Sequence, residues 1–298
     1  MDTRFLESFV CVVEQGSIAA AARQLGLTAA SVAQRLRALE ASVGSRLVTR
    51  AGRTVRPTVA GQRIMAHALN VLREVRDLRS AASETDLPAG PLRLGTTPTG
   101  MTGMLPPLLK EWVKRYPAIE LYIEPAATTL LYQRVLAGEL DAALLVHPLF
   151  VLPKSCLWQE LRREKLVLVA PARMRVADPL ATIAREPYIL YDRQVVGGKL
   201  AEGYLAERGL RPQVRFELDG IEAIAKLVAE GLGVSVLPDW AVLGKPDPRL
   251  RRWPLPGPCP HRSIGLLSQR ASVRAPLVTA FTAIATGAAR GGWREAAS

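Results

Sequence analysis

The stretch SIAAAARQLGLTAASVAQRLRALE, residues 17–40, decides the architecture of the N-terminal part of the chain. Ser17 is a good N-cap, the alanine-rich segment after it favours a helix, and Gly26 supplies the left-handed residue that ends this helix. Thr28 then caps a second helix, in which apolar residues recur at helical spacing, as in Val32 and Leu36. Two helices joined by a short glycine-containing turn predict a helix-turn-helix.

The other face of the second helix carries small residues first, then hydrogen-bonding and cationic ones. Such a helix suits entry into a DNA major groove by its N-terminal end. The DNA-contacting residues predicted here are Thr28, Ala30, Ser31, Gln34, Arg35 and Arg37. Thr28 and Arg37 are candidates for phosphates, whereas Ser31, Gln34 and Arg35 are candidates for base edges. An ion pair with Glu40 is the alternative for Arg37.

The segments on either side of this pair of helices complete the predicted domain. Phe5 to Glu14 reads as an amphipathic helix that supports them. RLVTRAGRTVRPT, residues 46–58, has β-branched residues on both sides of a tight turn and interleaved arginines. It predicts a small hairpin, a basic wing on the phosphate backbone with contacts from Arg50, Arg53 and Arg56. An ordinary solvated turn is the alternative.

A long helix follows, which Thr58 caps. Its apolar residues recur at alternating steps of four and three, namely Ile64, Ala68, Val71, Val75, Leu78 and Ala82. This heptad spacing predicts packing against a second copy of the chain; docking on the protein's own C-terminal part is the alternative. The segment DLPAGP, residues 86–91, then marks a linker.

From Leu92 onward predicted strands and helices alternate. The strands are LRLG (92–95), AIELYIE (118–124), DAALLV (141–146), KLVLVA (165–170), YILY (188–191), VRFEL (214–218), GVSVLP (233–238) and SIGLLS (263–268). The helices are predicted at 99–116, 129–137, 199–208, 221–230 and 276–289. This order predicts a parallel, doubly wound sheet in two similar α/β halves with a ligand cleft between them.

The cleft is expected beyond the carboxyl ends of the strands, next to helix N-termini. Hydroxyls and free backbone N–H groups at two such N-termini favour a carboxylate or similar anion, with N-capping as the alternative role for the threonines. His147 either points into the cleft or is a structural residue, and residues 195–198 predict a flexible loop at its mouth. The candidate ligand contacts are Thr97, Thr99, Thr128, Thr129, His147 and Val196.

The composition limits the class of protein. The 298 residues carry a formal net charge of +12, which favours a polyanionic partner without identifying it. The three cysteines have no metal-ligand spacing, and Cys11, on an apolar helix face, is expected to be a buried structural thiol. We find no signal peptide and no apolar run near the roughly 18 residues of a membrane span, so we expect a cytoplasmic protein with no membrane partner.

Taken in order, several motifs resemble those of the LysR-type transcriptional regulators. They are FLESFVCVVEQGSIAAAARQLGLT, LEASVGSRLVTR, TVAG, LRLGTT, LLKEWVKRYPAIEL, LAGELDAALL and AEGLGVSVLP. The resemblance covers essentially the whole chain and is strongest over about the first 65 residues. Two departures occur. Ala29, Ala30 and Ala33 stand where the family usually has residues of a Ser-Gln-Pro and a further serine, and Val48 stands where it tends to have phenylalanine.

The resemblance implies a multidomain protein with an all-α winged helix-turn-helix N-terminal domain (1–58), a long linker and dimerisation helix (59–86) and an α/β effector-binding domain (87–298). That last domain would have two subdomains, about 91–163 plus 265–298 and 164–264, similar to the type 2 periplasmic-binding-protein fold. The implied function is regulation of transcription at a palindromic promoter site, modulated by a small-molecule effector and with no other cofactor.

The implied partners are double-stranded DNA, the effector (for which a carboxylate is one candidate) and further copies of the chain in a dimer or tetramer. RNA polymerase would be a partner of an activator. An enzyme is disfavoured because we find no P-loop, nucleophile elbow or metal-ligand cluster. A solute-binding protein would need a signal sequence and no helix-turn-helix. A constitutive DNA-bending protein with a vestigial ligand domain stays open.

Overall fold

The structure of the protein is a computed structural model that describes residues 1–52, 54–81, 90–240 and 247–291. The chain divides into two compact units, Met1–Ala89 and Gly90–Ser298. The elements of the first unit are α1 (Thr3–Gln15), α2 (Ile18–Gln24), α3 (Ala29–Val43), the antiparallel hairpin β1 (Val48–Ala51) and β2 (Thr54–Pro57), and α4 (Val59–Ala81). The predicted helix-turn-helix, wing hairpin and long helix are confirmed.

Local capping sets the ends of the short helices. The Ser17 hydroxyl accepts a hydrogen bond from the Ala20 N–H at the start of α2, and the Thr28 hydroxyl accepts one from the Ser31 N–H at the start of α3. Gly26, in the turn between them, has φ +64°, a conformation that strains any residue with a Cβ. These groups explain why a turn of so few residues separates two stable helices.

The core of the first unit lies between α1, α2, α3 and the start of α4. The largest side chains in it include Phe9 and Leu39, both fully buried, and Ala68 of α4 packs against the same cluster. Cys11 is also buried there, and burial raises the pKa of its thiol. The prediction of a buried structural thiol is therefore confirmed.

The predicted heptad seam of α4 divides into two parts. Ile64 and Ala68 pack on the core of their own unit, so their apolar surface is already covered. Farther along, Val71 is 39% exposed and Leu78 is 71% exposed. Ala82, the last predicted seam residue, lies outside the described residues. The second part of the seam thus leaves apolar side chains in solvent.

The second unit alternates strands and helices in two halves. Its elements are β3 (Leu92–Thr96), α5 (Pro98–Gly103), α6 (Leu105–Arg115), β4 (Leu121–Pro125), α7 (Thr128–Leu136), β5 (Ala142–Val146), β6 (Cys156–Pro171), α8 (Pro179–Arg185), β7 (Tyr188–Tyr191), α9 (Val196–Ala206), β8 (Val214–Leu218), α10 (Ile221–Ala229), β9 (Ser235–Pro238), β10 (Leu250–Pro254), β11 (His261–Gln269) and α11 (Ala275–Arg290). The two-part α/β architecture is confirmed.

The sheets are mixed rather than parallel throughout. Strands β4, β3 and β5 run parallel in that order, and β7 and β8 also pair in parallel. Strand β11 is antiparallel to β5 and β6, and β6 is antiparallel to β9 and β10. The parallel prediction is therefore wrong for β6 and β11. These two strands do not follow a crossover helix, so nothing forces them to be parallel.

Two predicted elements differ from the structure by more than a few residues. The helix predicted over 99–116 is two helices with a break at Met104, because Pro106 and Pro107 lack the N–H groups that an uninterrupted helix would need. Strand β6 is longer than the predicted 165–170. Its first part, up to Lys165, pairs with β11, and its last part pairs with β9 and β10, so this strand runs through both halves.

No single helix among the described residues is long and apolar enough to cross a membrane. Helices α1 and α2 pass that test only together, as a pair bent by 120°.

Candidate DNA-binding surface and ligand cavity

Helix α3 presents a reading face opposite its buried side. Val32, Leu36 and Leu39 face the core, and Ala30, Gln34 and Arg37 are exposed on the other side. The Glu40 carboxylate accepts hydrogen bonds from the Leu47 and Val48 N–H groups, at 2.7 and 3.3 Å. Glu40 therefore fixes the start of the wing. Arg37 forms no ion pair with the residues that the structure describes, which leaves its charge available to a phosphate.

Thr28 and Ser31, predicted as separate contacts, form one unit at the N-terminus of α3. Their hydroxyl oxygens lie 2.8 Å apart, and the Thr28 oxygen also accepts the Ser31 N–H at 3.1 Å. One hydroxyl hydrogen is used between the two side chains, so the other stays free to donate to DNA.

Arg35 lies on the flank of α3 rather than on its reading face. Its Nη1 is 3.4 Å from the Ser8 hydroxyl on α1, and Ser8 is fully buried. The guanidinium is half-buried against α1 in this position. The structure therefore brings Gln34 and Arg37 together with Ala30, and places Arg35 beside a different helix.

The wing carries free positive charge. Arg50 on β1 and Arg56 on β2 are exposed and form no ion pair with the residues that the structure describes, and Arg53 lies outside those residues. An open groove of about 540 Å³ separates the wing from α3, with Ser17, Ala29, Ala33 and Arg50 among its lining residues. Two of the three unusual alanines thus face this groove.

The second unit contains a cavity of about 120 Å³ between its two halves. Helices α7, α9 and α10 begin at its wall, through Thr128, Val196 and Ile221. Backbone N–H groups in the first turn of a helix lack intrahelical acceptors and favour an anion. At the cleft the Thr102 hydroxyl of α5 donates to the Glu222 carboxylate of α10 at 2.5 Å, a contact between the two halves.

Five of the six predicted effector contacts line this cavity, namely Thr97, Thr99, Thr128, Thr129 and Val196. Thr97 is the N-cap of α5 and accepts the Gly100 N–H. The N-cap of α7 is Ala127, not a threonine, so the N-capping alternative does not apply to Thr128 or Thr129.

His147 does not line the cavity. Its neighbour Val146, the last residue of β5, does, and successive residues of an extended chain point to opposite sides. The His147 Nδ1 lies 2.6 Å from the Pro148 carbonyl oxygen, and the ring packs edge-on against Trp158 with centroids 4.8 Å apart. These contacts are those expected of a structural residue, one of the two roles that the sequence left open.

The expected flexible loop at 195–198 is instead the start of α9, with Val195 as its N-cap. A Cβ at Gly198 would lie 1.9 Å from the Asp192 carbonyl oxygen, so this glycine permits a close approach of the helix to the chain that follows β7. The prediction of a flexible loop is wrong, because the glycines in this segment allow a helix to pack closely on the neighbouring chain.

The cavity also contains residues that the sequence did not point to, above all Arg262. Arg262 of β11 stands directly opposite Glu164 of β6, with its Nε 2.6 Å from Glu164 Oε2. The side chains are 2% and 1% exposed. Arg162 approaches the other carboxylate oxygen at 3.0 Å. In the sequence, Glu164 and Arg262 are each a charged residue just before an apolar run, and this pattern does not predict that the two side chains form an ion pair.

Tyr191 lies at the same wall, and its burial raises the pKa of the phenol to about 12, against an opposing effect of the Arg262 charge. The phenol is thus a neutral hydrogen-bonding group throughout the physiological range. Within the described ranges no cluster of histidine, cysteine, aspartate or glutamate side chains could hold a metal ion.

Comparison with known proteins connects both sites to one family. The chain matches the family model of the LysR substrate binding domain over residues 85–290 and that of the bacterial regulatory helix-turn-helix protein, lysR family, over residues 3–62. Among curated relatives, it is 30% identical over 244 residues to the HTH-type transcriptional regulator IlvR of Caulobacter vibrioides, which is 80% of this chain and 82% of IlvR. It is 29% identical to the regulator CzcR of Bacillus subtilis, with 82% of both chains covered.

Solved structures give the same fold. Full-length OxyR from Pseudomonas aeruginosa matches with a TM-score of 0.72 at 23% identity, covering 96% of this chain and 94% of OxyR. CbnR in complex with its target DNA matches with a TM-score of 0.68 at 20% identity, covering 96% of this chain and all of CbnR (100%).

Proposed function

Because the chain belongs to the LysR family of DNA-binding transcriptional regulators, we propose that α3 and the wing bind a palindromic promoter site, and that a small molecule in the cavity modulates this binding. The observation that carries the proposal is the exposed reading face of α3 beside the unpaired wing arginines, in a chain that also holds a cavity lined by helix N-termini.

Contacts to DNA divide into two groups. Arg37, Arg50 and Arg56 are exposed cations that give affinity through phosphates, and the Thr28–Ser31 unit donates a hydroxyl hydrogen at the start of α3. Gln34 is the polar side chain in the middle of the reading face, so we assign to it the main base contact. Ala30 offers a methyl group to a thymine methyl, and Arg53 remains a predicted phosphate contact outside the described residues.

A second copy of the chain is the partner that the exposed half of the α4 seam requires. Val71 and Leu78 project apolar surface on a helix whose earlier seam residues, Ile64 and Ala68, already pack on the N-terminal core. Two copies paired along this seam place two reading helices on the two halves of a palindrome. Assembly of two such dimers gives a tetramer. This division keeps residues 1–58 as the DNA-binding domain, 59–86 as the dimerisation helix and 87–298 as the effector-binding domain.

The role of the effector-binding domain is regulatory rather than enzymatic. The helix N-termini at the cavity favour an anionic small molecule such as a carboxylate. Footprinting on the DNA upstream of the protein's own coding region, with and without a panel of small carboxylates, tests the whole proposal. The expected result is a protected palindrome whose pattern changes with one of the compounds. No protection at moderate salt would refute the regulator function.

A further inference from the structure

Arg262, Glu164 and Arg162 form a charged triad beside the cavity. Arg162 and Arg262 both bind the carboxylate of Glu164, and the side chain of Arg162 is 27% exposed to solvent. Arg262 and Glu164 are almost fully buried, at 2% and 1% exposure. A buried charge is unfavourable unless it is both paired and hydrogen-bonded, so the remaining N–H donors of Arg262 decide whether this site favours a further acceptor.

One atom of the triad has no partner. The Nη2 of Arg262 is buried and makes no hydrogen bond with the residues that the structure describes, although the side chain lines the cavity. A buried N–H donor without an acceptor is unfavourable, and a guanidinium donor loses more than a neutral one. Nη2 therefore needs an acceptor, and the cavity is the space from which one can come.

The rest of the cavity wall agrees with a ligand that carries its charge at one end. Helices α7, α9 and α10 have between 9 and 11 residues each and direct their positive ends to the cavity. Asp219, the acidic side chain among the lining residues, is exposed and accepts the Gly220 N–H. Much of the remaining wall is apolar, including Pro98, Ala127, Val146, Val195, Val196 and Ile221.

We infer that Arg262 binds the effector's anionic group, and that the effector is a small monocarboxylate with a short apolar body. This rests on the proposed function and makes it more specific. One carboxylate gives Nη2 a charged acceptor. A second carboxylate would face the Asp219 carboxylate and the apolar side chains of the wall. The volume of about 120 Å³ is well below the several hundred Å³ of sites for drug-sized ligands, which sets the small size.

Isothermal titration of the full-length protein tests this inference. The probes are straight- and branched-chain monocarboxylates from propionate to hexanoate, with isovaleramide and succinate as the neutral and the doubly charged comparison. At least one monocarboxylate is expected to bind, with the amide and the dicarboxylate about 10- to 100-fold weaker, the range expected for loss of a charge-assisted hydrogen bond. If the amide binds as well as its acid, or no monocarboxylate binds, the inference is overturned.

Two variants of Arg262 test whether its positive charge binds the carboxylate of the ligand. Arg262→Gln should weaken the best monocarboxylate by about 10- to 100-fold and leave the amide unchanged. Arg262→Lys keeps a cation for Glu164 and preserves the fold if the glutamine variant unfolds; it should also bind the acid more weakly, because it lacks the fork of N–H donors. Arg163→Gln is the matched control, since Arg163 lies on β6, the strand that pairs with β11, but its side chain is 65% exposed. Equal affinity in Arg262→Lys and wild type would contradict the assignment.

Footprinting with the same compounds separates this inference from the proposed function. If a monocarboxylate binds through Arg262 but leaves the footprint unchanged, the inference stands and modulation of DNA binding fails. If the footprint responds to a compound whose binding does not depend on Arg262, the proposed function stands and the inference fails.

Discussion

Replacing single side chains on α3 and the wing should separate the contacts that read the bases from the contacts that position the protein on the phosphates. Gln34 lies on the reading face, and Arg50 is an exposed, unpaired cation on the wing. Gln34→Ala removes a bidentate base contact, which contributes about 1–3 kcal/mol of discrimination. Arg50→Ala removes one phosphate contact in each protomer. Since each contact contributes about 0.9 to the slope of log K against log salt, the slope of a dimer should fall by about 1.8.

The measurement is a salt series of fluorescence-anisotropy titrations on two duplexes, the footprinted operator and a scrambled sequence of the same length. Gln34→Ala should weaken operator binding by about 5- to 150-fold per half-site, with little change on the scrambled duplex and no change of salt slope. Arg50→Ala should weaken both duplexes alike and lower both slopes.

The control for loss of charge is Arg115→Ala. Arg115 belongs to the other unit, has an exposed side chain and pairs with Glu111 at 2.6 Å. This variant lowers the net charge of the protein as much as Arg50→Ala does, but it should leave the salt slope unchanged. An unaltered preference for the operator in Gln34→Ala would refute our assignment of base reading. An effect of Arg50→Ala confined to the operator would refute its assignment to a phosphate.

Three further predictions concern assembly and stability. Leu78→Glu should dissociate the dimer in light-scattering measurements and weaken operator binding, whereas Glu74→Ala, at another exposed position of the same helix, should not; a dimer that survives Leu78→Glu would exclude the α4 seam. Glu164→Gln should destabilise the second unit by about 3–5 kcal/mol in thermal unfolding, because it leaves buried arginine charge uncompensated, and a loss below about 1 kcal/mol would contradict this. Burial raises the pKa of the Tyr191 phenol to about 12, so the neutral phenol contributes its full stabilisation below the unfolded pKa near 10, and this stabilisation is lost as pH rises toward 12. Tyr191→Phe should remove that part of the loss of stability at alkaline pH, whereas Tyr122→Phe, at a half-exposed site, should not.

Much of the first unit could be predicted from the sequence because its boundaries are set by local groups. Ser17, Gly26 and Thr28 act on backbone atoms within three residues of themselves, so the pattern of residues is nearly the whole cause of the structure. The position of Arg35 could not be read in this way. It depends on how α1 packs against α3, a contact between residues 27 positions apart.

The second unit shows where such predictions fail. The helix break at Met104 could be predicted from the sequence, since two consecutive prolines follow shortly after it and a proline in a helix interior removes a hydrogen bond. The full length of β6 was not, because the first part of this strand mixes charged and apolar residues and becomes a strand only through its pairing with β11. Arg262 and Glu164 are 98 positions apart, so only that pairing makes them a buried pair in the cavity wall.

The reading face of α3 implies how the protein selects DNA. With Arg35 against α1 and Ser31 joined to Thr28, Gln34 is the main polar group left for base edges. One bidentate contact in each half-site gives about 2–6 kcal/mol for a dimer, whereas specific binding typically exceeds non-specific binding by about 4–10 kcal/mol. The remaining free energy of specific binding has to come from contacts other than hydrogen bonds to bases. The methyl groups of the alanines on α3 can contact thymine methyls, and the basic wing can respond to DNA shape. Operators of this protein should therefore tolerate base changes outside the Gln34 contact more readily than changes in the stiffness of the intervening DNA.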